Sequence, residues 1–412
     1  MSKKVTMFVW NHFTNDARVL RECTALAEAG YALQLLALGQ EKTTVEERPD
    51  PFTIRRLGFQ LPTFPHRWHK MILCLLLLAA IFYTPLLVIC FIGTYLVLYK
   101  TKVKYVIRKI ALITKMIYWG LKEDADIYHA NDLNTLFQAV VCGKWIRKRK
   151  VIFDSHEVNV SRSGYNSKIY PIAEKFLMRY IDSCIHENDT RARFIKRIYK
   201  FFPNVVYNYP FLQTHIEPIN LHKQLDLPEE ELILLYQGGL QEGRGLDKLL
   251  EAVPHIKKGT VVFIGDGKWQ PFLVAETACQ NLSHRVKFIP KVPVEQLPAY
   301  TKNAYIGFQL LNNTSFNHYS AASNKLFEYI MAGVPVVACN FPEIKKVVTK
   351  DEIGVLVKSD DPLSIAAGVN QLIDQPELRE KMHQNTFQAR EKYNWTNEKI
   401  KFLKIYQRLT EV

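Results

Sequence analysis

Lys325 and Glu328 stand three residues apart in the stretch Ser323-Asn324-Lys325-Leu326-Phe327-Glu328, so on a helix they share a face. A cap from Ser323 or Asn324 would open that helix, and its free N–H groups and positive dipole end attract a diphosphate. Lys325 adds a mobile full charge, and a carboxylate one turn later, Glu328, can accept hydrogen bonds from a ribose diol. Gly333 can end the helix, Pro335 prevents its resumption, and Val336-Val337-Ala338 reads as a buried parallel strand. The plain alternative is an amphipathic helix whose Lys325 and Glu328 form a solvated ion pair.

Two glycine-rich turns fit the same chemistry. Gly238-Gly239-Leu240-Gln241-Glu242-Gly243-Arg244-Gly245 lies between a strand pattern and a helix pattern, where backbone N–H groups can meet phosphate and Arg244 can add bidentate contacts. Gly265-Asp266-Gly267 ends the next strand and would share its carboxyl edge. Pro290-Lys291-Val292-Pro293, after a third strand, reads as a plain loop. The three site loops together describe one ligand cleft.

The elements that must hold these loops alternate along the chain. Strands are expected at Val5–Trp10, Leu33–Ala37, Thr53–Leu57, Ile127–His129, Val151–Asp154 and Ser183–His186, with helices at Ala17–Ala29, Leu133–Cys142 and Ile169–Ile181. The alternation restarts at Ile233–Tyr236 and continues through Val261–Ile264, Arg285–Ile289, Tyr305–Leu310 and Gly354–Val357. The expectation is an α/β protein of two Rossmann-like domains: 1–209, carrying an insert at 71–121, and 210–394, followed by a helix in 395–412 that packs back toward the first domain. Asn208-Tyr209-Pro210 opens the linker.

A chain of 412 residues, 48% hydrophobic and 23% charged, is long enough for two cores and has no low-complexity tract. Its formal charge of +14 is uneven, because residues 100–150 alone carry a net +8. That basic region adjoins Met71–Tyr99, 29 uncharged residues flanked by His66-Arg67-Trp68-His69-Lys70 and Lys100-Thr101-Lys102. As one helix the run would be about 43 Å long, but a single crossing would separate strands of one sheet. Thr84-Pro85 divides it into halves of about 20 Å, each too short to span, which suits monotopic or peripheral attachment at the cytoplasmic face. Tyr105–Trp119 reads as an amphipathic surface helix with Arg108, Lys109 and Lys115 facing anionic lipid headgroups. The charge is thereby explained without nucleic acid. Seven scattered cysteines without metal-ligand spacing suit reduced thiols in the cytosol, and Val5–Trp10 is too short for a signal peptide.

Strand, glycine turn with a basic residue, Ile264-Gly265-Asp266-Gly267, and Asn324-Lys325-Leu326-Phe327-Glu328-Tyr329 with Ala332-Gly333-Val334-Pro335-Val336-Val337 resemble glycosyltransferase family 4 of the GT-B fold. The resemblance implies a retaining transferase that uses a nucleotide diphosphate sugar and needs no metal or other cofactor. It implies donor-binding roles for Gly239, Arg244, Gly265, Asp266, Ser320, Asn324, Lys325 and Glu328, with Arg244 at the pyrophosphate and Glu328 at the ribose. The first glutamate of the family's pair falls at Ser320, and the arginine after the first donor-loop glycine falls at Gly239. Both departures favour front-face displacement, in which the leaving phosphate helps deprotonate the acceptor. In the first domain the acceptor-side loop falls at Trp10–Arg18, giving His12, Asn15 and Asp16 as candidates, although Asp16 also suits a helix cap. Strand-end His156 and Glu157, with Asp132, are the catalytic candidates.

The function expected is transfer of a sugar to a hydroxyl of a lipid-linked or glycan acceptor, as in polysaccharide or glycolipid assembly, at an anionic membrane surface. The rival readings are a GT-B nucleotide-sugar epimerase, which needs no acceptor, and a catalytically impaired nucleotide-sugar-binding membrane scaffold.

Overall fold

The structure is a computed structural model that describes residues 2–14, 16–40, 43–47, 52–59, 71, 74, 78, 84, 102–158 and 169–411. Asn15 and all of the apolar run Met71–Tyr99 except Met71, Cys74, Leu78 and Thr84 lie outside the described residues. Among the described residues, no helix is long and apolar enough to cross a membrane.

The chain divides into two units, one of residues 1–154, 174–184 and 409–412, the other of residues 155–173 and 185–408. The strands are β1 (Lys4–Phe8), β2 (Ala32–Leu38), β3 (Thr44–Glu47), β4 (Phe52–Leu57), β5 (Ile127–Asn131), β6 (Lys150–Ser155), β7 (Ser183–His186) and β8 (Asn204–Val205), in the sheet order β3-β4-β2-β1-β5-β6-β7-β8. All the described pairings in this sheet are parallel except β3 on β4. β1 pairs with β2 on one side and β5 on the other, so the winding direction reverses there. In such sheets ligands gather beyond the carboxyl ends of the strands at that reversal. The loops that follow β1 and β5 contain His12, Asp16 and Asp132.

The expected helix at Tyr105–Trp119 runs Val103–Glu123 and buries only Leu112, Met116 and Gly120, a single stripe at four-residue spacing. Gly120 must lack a side chain, because a Cβ would stand 2.8 Å from the ring of Phe8. Of the helix's three named cations Arg108 and Lys109 are exposed, as expected, and Lys115 is half-buried. Arg108 also donates to the carbonyl of Gln40 (3.3 Å), and Lys115 donates to that of Gly58 (2.5 Å). Lys109, Tyr105, Val106 and Ile110 are exposed.

The second sheet is built from β9 (Ile233–Gln237), β10 (Thr260–Ile264), β11 (Val286–Ile289), β12 (Ile306–Gln309), β13 (Val336–Cys339) and β14 (Gly354–Val357), ordered β11-β10-β9-β12-β13-β14 and wholly parallel. β9, β10, β12 and β13 are buried along their full length, as a sheet covered by helices on both faces requires. One core layer holds Leu235, Val262, Leu326, Tyr329 and Ile344, and the other holds Leu234, Phe263, Leu249, Ile365 and Leu372. The order reverses between β9 and β12, and Gln237, Ile264 and Ile289 end their strands in register. The glycine turns and the helix Asn324–Ala332 therefore open at one edge.

Candidate functional site

The donor-side loops close on one another through backbone. Gly238 N–H donates to Ile264 O (2.8 Å) and Leu240 N–H to Asp266 O (2.7 Å), locking the first turn against the second. Gly265 adopts φ +148°, and a Cβ on it would lie 2.0 Å from Gly238 O, so the approach requires glycine at that position.

Lys325 reaches this junction from the first turn of the helix Asn324–Ala332. Its ammonium donates to the Tyr236 hydroxyl (2.9 Å) and stands 4.3 Å from the ring centroid, while that hydroxyl donates to Gly239 O (3.0 Å). The side chain is buried, and burial pulls its pKa below the ordinary lysine range; the Tyr236 oxygen and Glu328 oppose this, and Arg244 adds to it. Lys325 and Glu328 are thus not a solvated surface pair. Glu328 accepts from Gln237 Nε2 (2.7 Å), and Gln237 Oε1 accepts from the Thr301 hydroxyl (2.7 Å).

The helix start differs from the expected capped form. Ser323 is the N-terminal flanking residue but makes no capping hydrogen bond, and the Asn324 side-chain oxygen accepts from Asn208 Nδ2 (3.0 Å) instead. Gly333 ends the helix at φ +78°, as its sequence position suggests.

Ser320, where the resemblance places a donor contact, is fully buried. Its hydroxyl donates to Phe316 O (2.6 Å) and accepts from Arg191 Nε (3.2 Å), and its carbonyl accepts from Asn188 Nδ2 (2.9 Å). A serine side chain is too short to make these bonds and also extend to a ligand. Arg191 further donates to the carbonyls of His156 (2.5 Å) and Asn317 (3.2 Å) and pairs with Glu187 (2.8 Å). Asn317 bonds the backbone of Val158 through both its amide groups (2.9 and 3.1 Å). Arg191 and Asn317 therefore fasten the His156-Glu157 loop to the turn Phe316–Tyr319.

His318 lies on that same turn and was not singled out by its spacing. Burial holds its pKa below the ordinary histidine value; the Asn312 carbonyl opposes this, Arg244 adds to it, Glu157 opposes it and Lys325 adds to it. Within the second unit Arg244, Glu157 and Lys325 thus all lie close enough to His318 to act on its charge. Tyr236, Gln237, Thr301, Arg191 and Asn317 were also missed; the one available signal was Gln237, an amide closing an otherwise apolar or aromatic strand.

In the first unit, Asp16 caps the helix Ala17–Glu28 through Val19 N–H (3.2 Å) and accepts from Asn11 Nδ2 (2.8 Å), matching the helix-cap alternative. His12 is exposed and bonds Leu38 O through Nδ1 (3.0 Å). Asp132 takes φ +64° after β5, and its N–H donates to Asp154 O (2.8 Å). Ligand atoms of buried Glu22, His129 and Asp154 lie within 4.8 Å of one another, a set that can hold a metal by distance alone. Arg18 already contacts both Asp154 oxygens (2.9 Å each) and lies 3.1 Å from Glu22, so a guanidinium supplies the positive charge there.

Residues 219–389 match the family model described as glycosyl transferases group 1. A D-inositol 3-phosphate glycosyltransferase of Thermomonospora curvata is 26% identical over 197 residues, covering 45% of this chain and 44% of the relative. The chain thus aligns with less than half of that relative's length. Sucrose-phosphate synthase from Thermosynechococcus elongatus superposes with a TM-score of 0.72 at 18% identity, covering 99% of each chain. Anabaena HepE in complex with UDP and glucose does so at 0.70 and 13%, covering 100% of each. At such identities the superpositions establish the GT-B fold, and within it residues 219–389 are similar to the group 1 glycosyl transferases.

Proposed function

We propose that this chain is a membrane-associated retaining glycosyltransferase of family 4 type, moving a sugar from a nucleotide diphosphate sugar to a hydroxyl of a lipid-linked or glycan acceptor. The observation that carries the donor half is the grouping of Glu328, Lys325 and Arg244 around glycine turns at the reversal point of the second sheet. Glu328 accepts the ribose hydroxyls. Arg244, Lys325 and the uncapped start of helix Asn324–Ala332 meet the diphosphate and stabilise the charge that grows on it as the glycosidic bond breaks. With Ser320 holding Arg191, no carboxylate stands at that position to act as nucleophile, which favours front-face displacement. The departing phosphate takes the acceptor proton, and the carboxylate of Glu157 and the imidazole of His156 orient the reacting groups. That HepE is described in complex with UDP and glucose supports a uridine nucleotide as the first donor to try.

Membrane attachment rests on the 29-residue uncharged run and the basic region beside it. The test is nucleotide release from a panel of UDP-, GDP- and other nucleotide sugars with extracted lipid acceptors. Glu328→Ala and Arg244→Ala should each abolish release, and full turnover in either refutes the donor site. Deleting residues 71–99 should lower the rate on lipid acceptors embedded in vesicles; an unchanged rate removes the membrane part alone.

A further inference from the structure

We propose that Gln237 is a positioning residue that keeps the Glu328 carboxylate ionised and aimed for hydroxyl recognition, with Thr301 setting the direction of its amide; the hydroxyl recognition rests on the donor-site reading above. Gln237 is the last residue of β9, follows Ile233-Leu234-Leu235-Tyr236, and is fully buried. A buried primary amide is costly unless both ends are satisfied. Here Nε2 donates to Glu328 Oε2 (2.7 Å) and Oε1 receives the Thr301 hydroxyl (2.7 Å). Its backbone N–H is also fixed, by the Tyr329 hydroxyl (3.2 Å), which itself donates to Leu235 O (3.0 Å). The amide therefore has a rigid base at the strand end.

The direction of the amide follows from counting protons. Thr301 has one hydroxyl proton and two acceptors in reach, Gln237 Oε1 and Leu297 O (2.8 Å). A flipped amide would let Thr301 donate to Leu297, but would set Gln237 Oε1 against the Glu328 carboxyl, an arrangement stable only if Glu328 is protonated. An ionised Glu328 selects the orientation seen, and that orientation in turn favours the ionised form. A vicinal diol presents two donors, and an ionised carboxylate accepts them more strongly than a protonated one, whose hydroxyl oxygen is a poor acceptor. Gln237 thus acts on ligand recognition through Glu328.

Two measurements on the full-length protein test this. In the first, the Glu328 carboxyl is titrated by carbon-13 NMR in wild type, Gln237→Met and Thr301→Val. Loss of one hydrogen bond to the charged form should raise its pKa by about one unit in Gln237→Met, with a smaller rise in Thr301→Val. In the second, UDP and 2′-deoxy-UDP binding are compared by calorimetry. Wild type should prefer UDP; Gln237→Met should lose about tenfold for UDP and less than twofold for the deoxy analogue. Gln237→Glu should bind UDP near the wild-type level at low pH, where the two carboxyls share a proton, and lose affinity as pH rises. An unmoved Glu328 titration in Gln237→Met, or equal losses for both nucleotides, overturns the proposal. Wild type that binds no UDP counts against the donor-site reading, while the titration still decides the Gln237–Glu328 coupling.

Discussion

Replacing Ser320 by alanine separates a donor contact from a structural pin. The hydroxyl bonds Phe316 O at 2.6 Å and receives Arg191 Nε at 3.2 Å, and both serine and arginine are buried. Alanine leaves a charged buried donor one acceptor short, a loss of about 2 kcal/mol. For a unit of about 150–250 residues, 1 kcal/mol moves Tm by about 2–4 °C, so Ser320→Ala should melt about 4–8 °C lower. Arg191→Met should cost about 3–5 kcal/mol, since it strands Glu187 and the carbonyls of His156 and Asn317. Because both changes remove one shared bond, the double variant should be less destabilised than the sum of the two by about 1 kcal/mol. Scanning calorimetry measures the stabilities, and steady-state kinetics over a donor series should show a donor KM in Ser320→Ala within about threefold of wild type. A melting temperature unchanged within 1 °C together with a tenfold rise in donor KM would show that the hydroxyl serves the ligand and that the Arg191 contact is idle.

Three further outcomes follow from the same geometry. Lys325→Met removes a buried ammonium, so it should weaken nucleotide diphosphate binding by at least tenfold in titration calorimetry without lowering Tm, because the cost of burying the charge disappears with it. Burial keeps folded His318 below its ordinary value, so the unfolded chain takes up that proton first. Stability should rise with pH from the folded pKa up to about 6.5 and flatten above, and His318→Gln should remove this contribution, at most about 1.4 kcal/mol per pH unit, from urea-melt stabilities. Burial pushes the thiols of Cys142 and Cys339 up to about 12, so iodoacetamide at pH 8 should label exposed Cys279 while leaving those two intact by mass spectrometry.

The parts of the fold that were legible share one physical cause. Buried parallel strands are continuous apolar runs, and β10, β11 and β13 emerge close to the expected places, while β7 emerges with both ends as read. β3 escaped notice because Thr44-Val45-Glu46-Glu47 is a polar edge strand whose pairing with β4 is antiparallel, an arrangement that no local apolar run announces. The expected helix Leu133–Cys142 gives way after Val140 to a wider turn, Val141–Ile146. Among candidate site residues, Lys325, Glu328 and Arg244 are charged groups that helical or turn context singles out in the sequence. Gln237, Arg191 and Thr301 are not so marked, since each acts through a partner 64 to 129 positions away. Spacing rules reach only along one element.

The missing arginine at Gly239 is the departure that the structure accounts for best. Tyr236 donates to the carbonyl of Gly239 and holds Lys325 with the same oxygen, so a cation already stands at this turn, delivered from the neighbouring helix. A Cβ on Gly239 would meet only the Gln241 side chain, at 3.7 Å, which is ordinary contact, and the residue does not need the left-handed region. Gly239→Arg should therefore fold with a Tm within about 2 °C of wild type, as surface changes usually do. Gly265→Ala, which drives a methyl onto Gly238 O at φ +148°, should lose several kcal/mol. If Lys325 already supplies the charge, the added arginine should change UDP affinity by less than threefold in wild type but recover most of the loss in Lys325→Met. A large gain in the wild-type background with no rescue in Lys325→Met would mean that the two cations serve different groups, and that Lys325 is held by Tyr236 for packing alone.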